Sequence, residues 1–410
     1  MKPNRLAPRM ALVRSSPTAE ISNKVRALKE QGKDVINLGE GELAFDTPDH
    51  IKEAGIAAIQ QGQTKYTAVE GTAELLKAVV EKFENENGVR YSTAEVIAGA
   101  GAKQLIFNAF LATISAGDEV LITAPYWVSY PDIVALAEGK VRILPCSAAG
   151  GWKISPEVLE AAISSNTRWL VLNSPNNPSG AVYSETELRA LADVLVRHPH
   201  VLVMADDIYE HVRYEGAFYT PAQVEPRLHD RTLTINGLSK GYSMTGWRLG
   251  FAGGPAWLIS AMQVLQSQST SNPSSISQAA AVAALRGNKD FLAGWIEELS
   301  RARELLLRTI ERSPGLICEA AEGAFYAFVN CEGIIGAKAS DGRVLQNDLD
   351  FANYLLEVAH VGVMHGDAFG VPNHIRIAYG VDQATLQEAC SRIEKACKEL
   401  SFAKDMEVAR

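Results

Sequence analysis

Lys240 follows the apolar run Thr232-Leu-Thr-Ile235 by five positions and lies in Asn236-Gly-Leu-Ser-Lys240-Gly-Tyr-Ser-Met-Thr-Gly-Trp-Arg248-Leu-Gly250, with an arginine eight positions on. A lysine amine is a weak nucleophile until it is desolvated or set beside another cation; it then forms Schiff bases with carbonyls. Upstream stand Asn173-Ser-Pro-Asn-Asn177-Pro-Ser-Gly180 and Ala205-Asp206-Asp-Ile-Tyr209, and far downstream His374-Ile-Arg376-Ile-Ala378. Gly99-Ala-Gly-Ala-Lys103 is a glycine-rich turn opening a helix, a place where backbone N–H groups receive an anion. Each piece also has a bland reading. Lys240 could be a surface lysine after a strand, Asp206 a helix cap, Asn177 part of a good turn, and Lys103 a solvent-facing residue of a first helical turn.

The elements that must position these residues alternate. Strand-like runs fall at Val96-Ile97, Glu119–Thr123, Val141–Leu144, Trp169–Leu172, Val201–Met204, Thr232–Ile235 and Leu249–Phe251, with helical patterns such as Lys103–Ser115 and Glu185–Arg197 between most of them. That alternation predicts an α/β fold, a mostly parallel seven-stranded sheet between helices. Ligands bind such sheets outside the carboxyl ends of the strands. Asn177, Asp206 and Lys240 each fall just after a strand in this reading. A long helical pattern, Asn288–Glu311, leads to a smaller α/β unit with strands near Phe325–Val329 and Ile375–Ala378 and a closing helix Ala384–Leu400. The expected division is an arm at 1–14, a small domain of 15–45 and 300–405, and a large domain of 46–299. Ser401–Arg410 reads as a frayed tail.

Composition bounds the partners. At 410 residues the chain is long enough for two domains. Hydrophobic content of 47% and charge of 21% are those of a globular protein, and no apolar run nears the roughly 20 residues of a membrane helix. The first ten residues carry charge but no apolar stretch, so no signal peptide is read. Five scattered cysteines without C-x-x-C spacing fit reduced, cytoplasmic thiols. A net charge of −9 argues against nucleic acid or an anionic membrane as a main partner. His198-Pro-His200 reads as a turn and not a metal site, and no metal is expected. The glycines of Gly250–Pro255 lack dinucleotide spacing. Gln266–Asn272 reads as loop or helix end.

In their order along most of the chain, the Lys240–Gly250, Asn173–Gly180 and Ala205–Tyr209 segments resemble the class I/II aminotransferases of fold type I, within the aspartate aminotransferase-like branch. The resemblance implies the cofactor pyridoxal 5'-phosphate. Lys240 would carry it as a Schiff base and then shuttle a proton between the substrate α-carbon and the cofactor carbon. Asp206 would hold the proton of the pyridine nitrogen, and Tyr209 and Asn177 would donate to the ring oxygen. Ala102, Lys103 and Arg248 would receive the phosphate, and Trp127 would stack on the ring. Tyr66, in Lys65-Tyr-Thr-Ala-Val-Glu-Gly71, resembles the tyrosine that reaches the neighbouring subunit's phosphate, which implies a homodimer with shared sites.

For the substrate, Arg376 matches the family arginine that clamps the α-carboxylate, and Gly41 the glycine whose amide meets the same group. Lys103 also fits the role of meeting a distal carboxylate, which favours aspartate with 2-oxoglutarate. Four positions depart from the family form. Leu43-Ala44 replaces a usual Pro-Asp, Gly237 stands where many relatives have serine, and His365 where proline is more frequent. Aminotransferases for aromatic or neutral amino acids and a lyase on the same fold use the same Lys240, Asp206 and Arg376. A cofactor-sensing transcription regulator would need a DNA-binding domain ahead of residue 20 or so, where no room for one is read.

Overall fold

Every expected strand of the central sheet forms in the computed structural model, which describes residues 6–402. Numbered along the chain, the strands are β1 (Ile36–Asn37), β2 (Val96–Gly99), β3 (Glu119–Ala124), β4 (Lys140–Pro145), β5 (Thr167–Asn173), β6 (Leu202–Asp206), β7 (Thr232–Gly237), β8 (Gly250–Gly253), β9 (Tyr326–Asn330), β10 (Val361–Gly362), β11 (Met364–His365) and β12 (His374–Ala378). The seven-stranded sheet runs β2-β8-β7-β6-β5-β3-β4. Its pairs are parallel except those of β8, which is antiparallel to β2 and β7.

Alternation along the strands splits the core between the two faces of the sheet, because successive side chains point to opposite sides. Val120, Ile122, Trp169 and Val171 join one buried cluster, whereas Leu121, Leu170, Leu172 and Val203 join another. Helices cover both. The helix Glu185–Arg197 begins at a capping box in which Ser184 and Glu187 satisfy each other's backbone amides. The helix Ala73–Asn87 starts on Thr72, whose side chain accepts from the Leu75 amide, and stops at Gly88 in the left-handed region.

A three-stranded antiparallel sheet, β11-β12-β9, and the parallel pair β1-β10 form apart from the large sheet. The long helix leading toward them spans Phe291–Glu311, three residues shorter at its start than the sequence pattern implied. The closing helix spans Gln383–Lys398 and starts one residue early because Asp382 caps it by accepting from the Thr385 amide. Residues 1–5 of the expected arm and the tail from 403 onward lie outside the described residues. Among the described residues no helix is long and apolar enough to cross a membrane.

Candidate active site

Parallel strands share one carboxyl edge, so the residues that follow them gather there. Ala102 and Lys103 come from beyond β2, Trp127 from beyond β3, Asn177 from beyond β5 and Lys240 from beyond β7. Asp206 is the last residue of β6 itself. The reversal of β8 matters as much: Gly250 pairs with both Gly99 and Gly237, so the start of an antiparallel strand lies at that same edge and brings Arg248 to it. Arg376 of β12 and Gly41 complete the set. All of these line one cavity of about 400 Å³, within the range of small-ligand sites. Tyr66 does not join them. It is 90% exposed and lines a separate hollow with His50, Thr72 and Ser275.

Asp206 is buried at the cavity floor, and no helix follows for it to cap. Tyr130 donates to its Oδ2 at 2.5 Å, and the Ile208 amide reaches its Oδ1 at 3.4 Å. Burial raises its pKa, and the Tyr130 and Ile208 hydrogen bonds with the Lys240 charge hold the rise to about 6. Asn173 braces the floor: its Nδ2 donates to the Asp206 carbonyl at 2.8 Å and its Oδ1 accepts from the Asn177 amide at 2.8 Å.

The Lys240 amine donates to the Gly41 carbonyl. Burial first, and the nearby Arg376 charge second, bring its pKa down to about 8. A Cβ at Gly41 would lie 2.3 Å from the Tyr326 hydroxyl, so this close approach admits no side chain there. Tyr326 and Tyr209 join hydroxyls at 2.8 Å, and burial keeps both phenols protonated.

Arg376 is 2% exposed, yet no carboxylate pairs with it among the described residues. Its Nη1 donates to Asn177 Oδ1 at 2.9 Å and its Nη2 to the Gly39 carbonyl at 2.5 Å, while Nε has no partner. The rings of Tyr326 and Phe369 lie 4.5 and 5.0 Å from the guanidinium carbon. A buried cation held only by neutral acceptors is costly and is electrostatically ready for an anion.

At the other end of the cavity, the Ala102 and Lys103 amides that open the helix Ala102–Thr113 have no acceptor among the described residues, whereas the Gln104 amide already donates to the Gly101 carbonyl. Arg248 stands beside them, its guanidinium donating to the Thr245 and Ala100 carbonyls at 2.9 and 3.3 Å. Lys103 is exposed and lines the cavity, with its ammonium 4.8 Å from the centre of the Trp127 ring. Although its side chain reaches solvent, desolvation of the ammonium within the cavity, then the Arg248 charge, lower its pKa.

Sequence reasoning missed Tyr130, Tyr326 and Asn173. All three lie inside segments read for other residues. The departures it noted fall elsewhere. Leu43 packs against Gly380 and the Ala44 amide donates to the Gly380 carbonyl; neither residue, nor His365 in β11, lines the cavity. Gly237 is crowded: a Cβ there would lie 3.0 Å from both Gly250 Cα and the Ile208 side chain, so a serine would not fit without movement, whereas Ser239 does line the cavity. His198 Nε2 lies 2.8 Å from Glu160, on the helix Pro156–Ala162. His200 instead meets the Ser164 carbonyl at 3.0 Å.

The family model described as aminotransferase class I and II matches residues 33–393. An aspartate aminotransferase of Rhizobium meliloti is 52% identical over 396 residues, 96% of this chain and 97% of that one. An aspartate/prephenate aminotransferase of Cereibacter sphaeroides is 50% identical over 397 residues, 97% of this chain and 99% of that one. Among solved structures, the aspartate aminotransferase of Thermus thermophilus with maleate superposes with a TM-score of 0.90 at 38% identity, covering 96% of this chain and all of that one.

Proposed function

The chain belongs to the class I and II aminotransferases, enzymes that depend on pyridoxal 5'-phosphate, and from that premise we propose that it exchanges the amino group of L-aspartate with 2-oxoglutarate by a ping-pong mechanism. The observation that carries the substrate reading is Arg376, a buried guanidinium with no carboxylate partner among the described residues, in one cavity with Lys240 and with Lys103, which makes no ion pair among those residues. Two cations suit the two carboxylates of aspartate, and the names of the Rhizobium and Cereibacter relatives point the same way. Prephenate, in the Cereibacter relative's name, is also a dicarboxylate and is a second acceptor to try.

The residues present fit the cofactor. A buried carboxylate, a phenol, an amide side chain, free helix-start amides and an arginine surround the lysine amine. When bound, the cofactor supplies an aldehyde carbon that holds amines and a ring that takes up the electron pair of the broken Cα–H bond. Asp206 holds a proton at its carboxylate against the ring nitrogen, and a cationic partner there offsets the burial that raises its pKa. Lys240 Nζ, with a pKa brought down to about 8, would take the α-proton and deliver it to the cofactor carbon that holds the amine. Arg376 and Asn177 bind the α-carboxylate and fix the Cα–H bond in place. Arg248 and the Ala102 and Lys103 amides receive the phosphate, Tyr209 donates to the ring oxygen, and Trp127 packs on the ring.

We also read the site as shared. Tyr66, exposed in one chain, serves the cavity of a second copy, so the working unit is a homodimer. Residues 15–45 and 300–405 are read as one domain that draws in on 46–299 when Arg376 takes substrate. The cytoplasm is its compartment in this reading, and the five cysteines are unpaired. The test is the visible absorption of the protein with pyridoxal 5'-phosphate, before and after L-aspartate without any oxo acid. Loss of the absorption with one oxaloacetate per site supports the assignment. A cofactor-bearing protein that ignores aspartate but responds to aromatic or neutral amino acids overturns the substrate.

A further inference from the structure

Next to Tyr209 along the chain lies an ionic cluster, buried at Lys82 and Glu210 and reaching the surface at Glu86, that the reaction chemistry does not use. Lys82, on the helix Ala73–Asn87, is 3% exposed. Its ammonium pairs with Glu210 and donates to Asn87 Oδ1 at 2.5 Å, while Asn87 Nδ2 donates to Glu210 Oε2 at 2.8 Å. Glu86 pairs with Lys289, and His211 Nε2 lies 3.1 Å from Glu86 and 3.6 Å from Glu210. The two glutamates and the histidine sit close enough to hold a metal ion, but two ammonium groups already supply the positive charge there.

The cluster touches the chain on both sides of the chemistry. Glu210 and His211 directly follow Tyr209. His211 is also wedged against the residue after Lys240: a Cβ at Gly241 would lie 2.8 Å from His211 Nδ1, and the His211 and Tyr242 rings are 5.4 Å apart at 77°. Buried ion pairs contribute little net stability, since well-packed apolar residues often replace them without loss. What such a cluster does supply is directional fixing of the segments that carry it.

We propose that Lys82 is a positioning residue, which through Glu210 and His211 fixes the Tyr209 and Lys240 segments relative to each other. The proposal rests on the reading that these two residues serve the cofactor. The decisive variant is the double change Lys82→Met with Glu210→Gln, which removes one charge of each sign and leaves the net charge as it was. It should lower kcat about tenfold with the amino-donor KM within about twofold, as a small misplacement of reacting groups does. The pH midpoint of the bound cofactor's visible absorption should move by about half a unit or more.

A double variant that titrates and turns over like the wild type overturns the proposal, even if Lys82→Met alone shifts the midpoint, because the effect is then one of charge at a distance. If the double variant does not fold, the two single variants decide: charge at a distance moves the midpoint in opposite directions in Lys82→Met and Glu210→Gln, which overturns the proposal, whereas lost positioning lowers kcat in both. Val79→Ala, a core truncation on the same helix, should lower Tm and leave the midpoint in place. An equal shift there would make the cluster merely structural. If the wild-type protein itself gives no Lys240-dependent absorption, it is the functional reading that fails.

Discussion

The floor of the cavity and its exposed wall are built on opposite plans. On the floor, Asp206, Asn177, Tyr209 and Arg376 are each at most 5% exposed, and each is held by other buried groups. On the wall, Lys103, Arg248 and Glu42 are exposed. Arg248 is tied only to backbone carbonyls and Glu42 to Thr245, and Glu40 lines the cavity without a hydrogen bond or ion pair among the described residues. Preorganised buried dipoles are what a reaction needs where charge develops. Groups free to move can adjust to different side chains. In the proposed function the floor carries the reaction, Arg248 serves the phosphate, and Lys103, Glu40 and Glu42 are left to bear on which amino acids are served.

The comparison breaks most sharply at Lys240. Lys240→Ala should lower turnover by at least about 10⁴-fold, since it removes the general base together with the covalent anchor. Tm should hold or rise, because a buried amine held at a pKa of about 8 costs stability at neutral pH. Undiminished turnover would sink the mechanism. Arg376→Leu comes next: losing two charge-assisted hydrogen bonds to a carboxylate should cost about 10²- to 10⁴-fold in kcat/KM for amino acids.

That variant also tests the electrostatics. Lys240 is neutral above about 8, so attachment of the cofactor to apoprotein should slow about tenfold for each pH unit below that point and level off above it. The Arg376 charge is the second cause of the lowering, after burial, so in Arg376→Leu the midpoint should move up. For stability the sign is set by the unfolded chain, whose lysine keeps its proton up to about 10.4. The apoprotein therefore loses stability as pH falls from there through 8. A midpoint that stays put would show that burial alone sets the lysine.

The floor was more legible in sequence than its supports. Lys240, Asp206, Asn177 and Arg376 announce themselves because a reactive type stands at the end of a strand or within a short motif. Tyr130 and Tyr326 do not, since the partners that give them meaning lie 76 and 117 residues away. The spacing of Lys82 and Glu86 is that of an ordinary solvated helix face, and nothing local marks it as buried. The reversal of β8 was hidden for the same reason: strand direction depends on neighbours in space. Leu43, Ala44 and His365 run the other way, unusual in sequence yet lining no part of the cavity. Tyr130→Phe measures what such a support is worth. Removing a hydrogen bond to a carboxylate should lower kcat about ten- to a hundredfold and, without the donor that holds it down, raise the Asp206 pKa. A kcat within twofold of wild type would confine Tyr130 to packing.

The smallest effects belong to the wall, and there the sign discriminates better than the size. If Lys103 meets the distal carboxylate, Lys103→Gln should raise the KM for aspartate about two- to fivefold, the scale of an exposed ion pair. It should leave kcat and the KM for neutral donors nearly unchanged. Salt should narrow the difference, because exposed charges are screened over about 10 Å at 0.1 M. Glu40→Gln should act in the opposite direction, since an unpaired carboxylate lining the cavity opposes a second carboxylate in the substrate. Steady-state kinetics with aspartate and a neutral donor at two salt concentrations reads both changes. If Glu40→Gln raises the aspartate KM instead, Glu40 holds Lys103 in place during binding, and the wall is as preorganised as the floor.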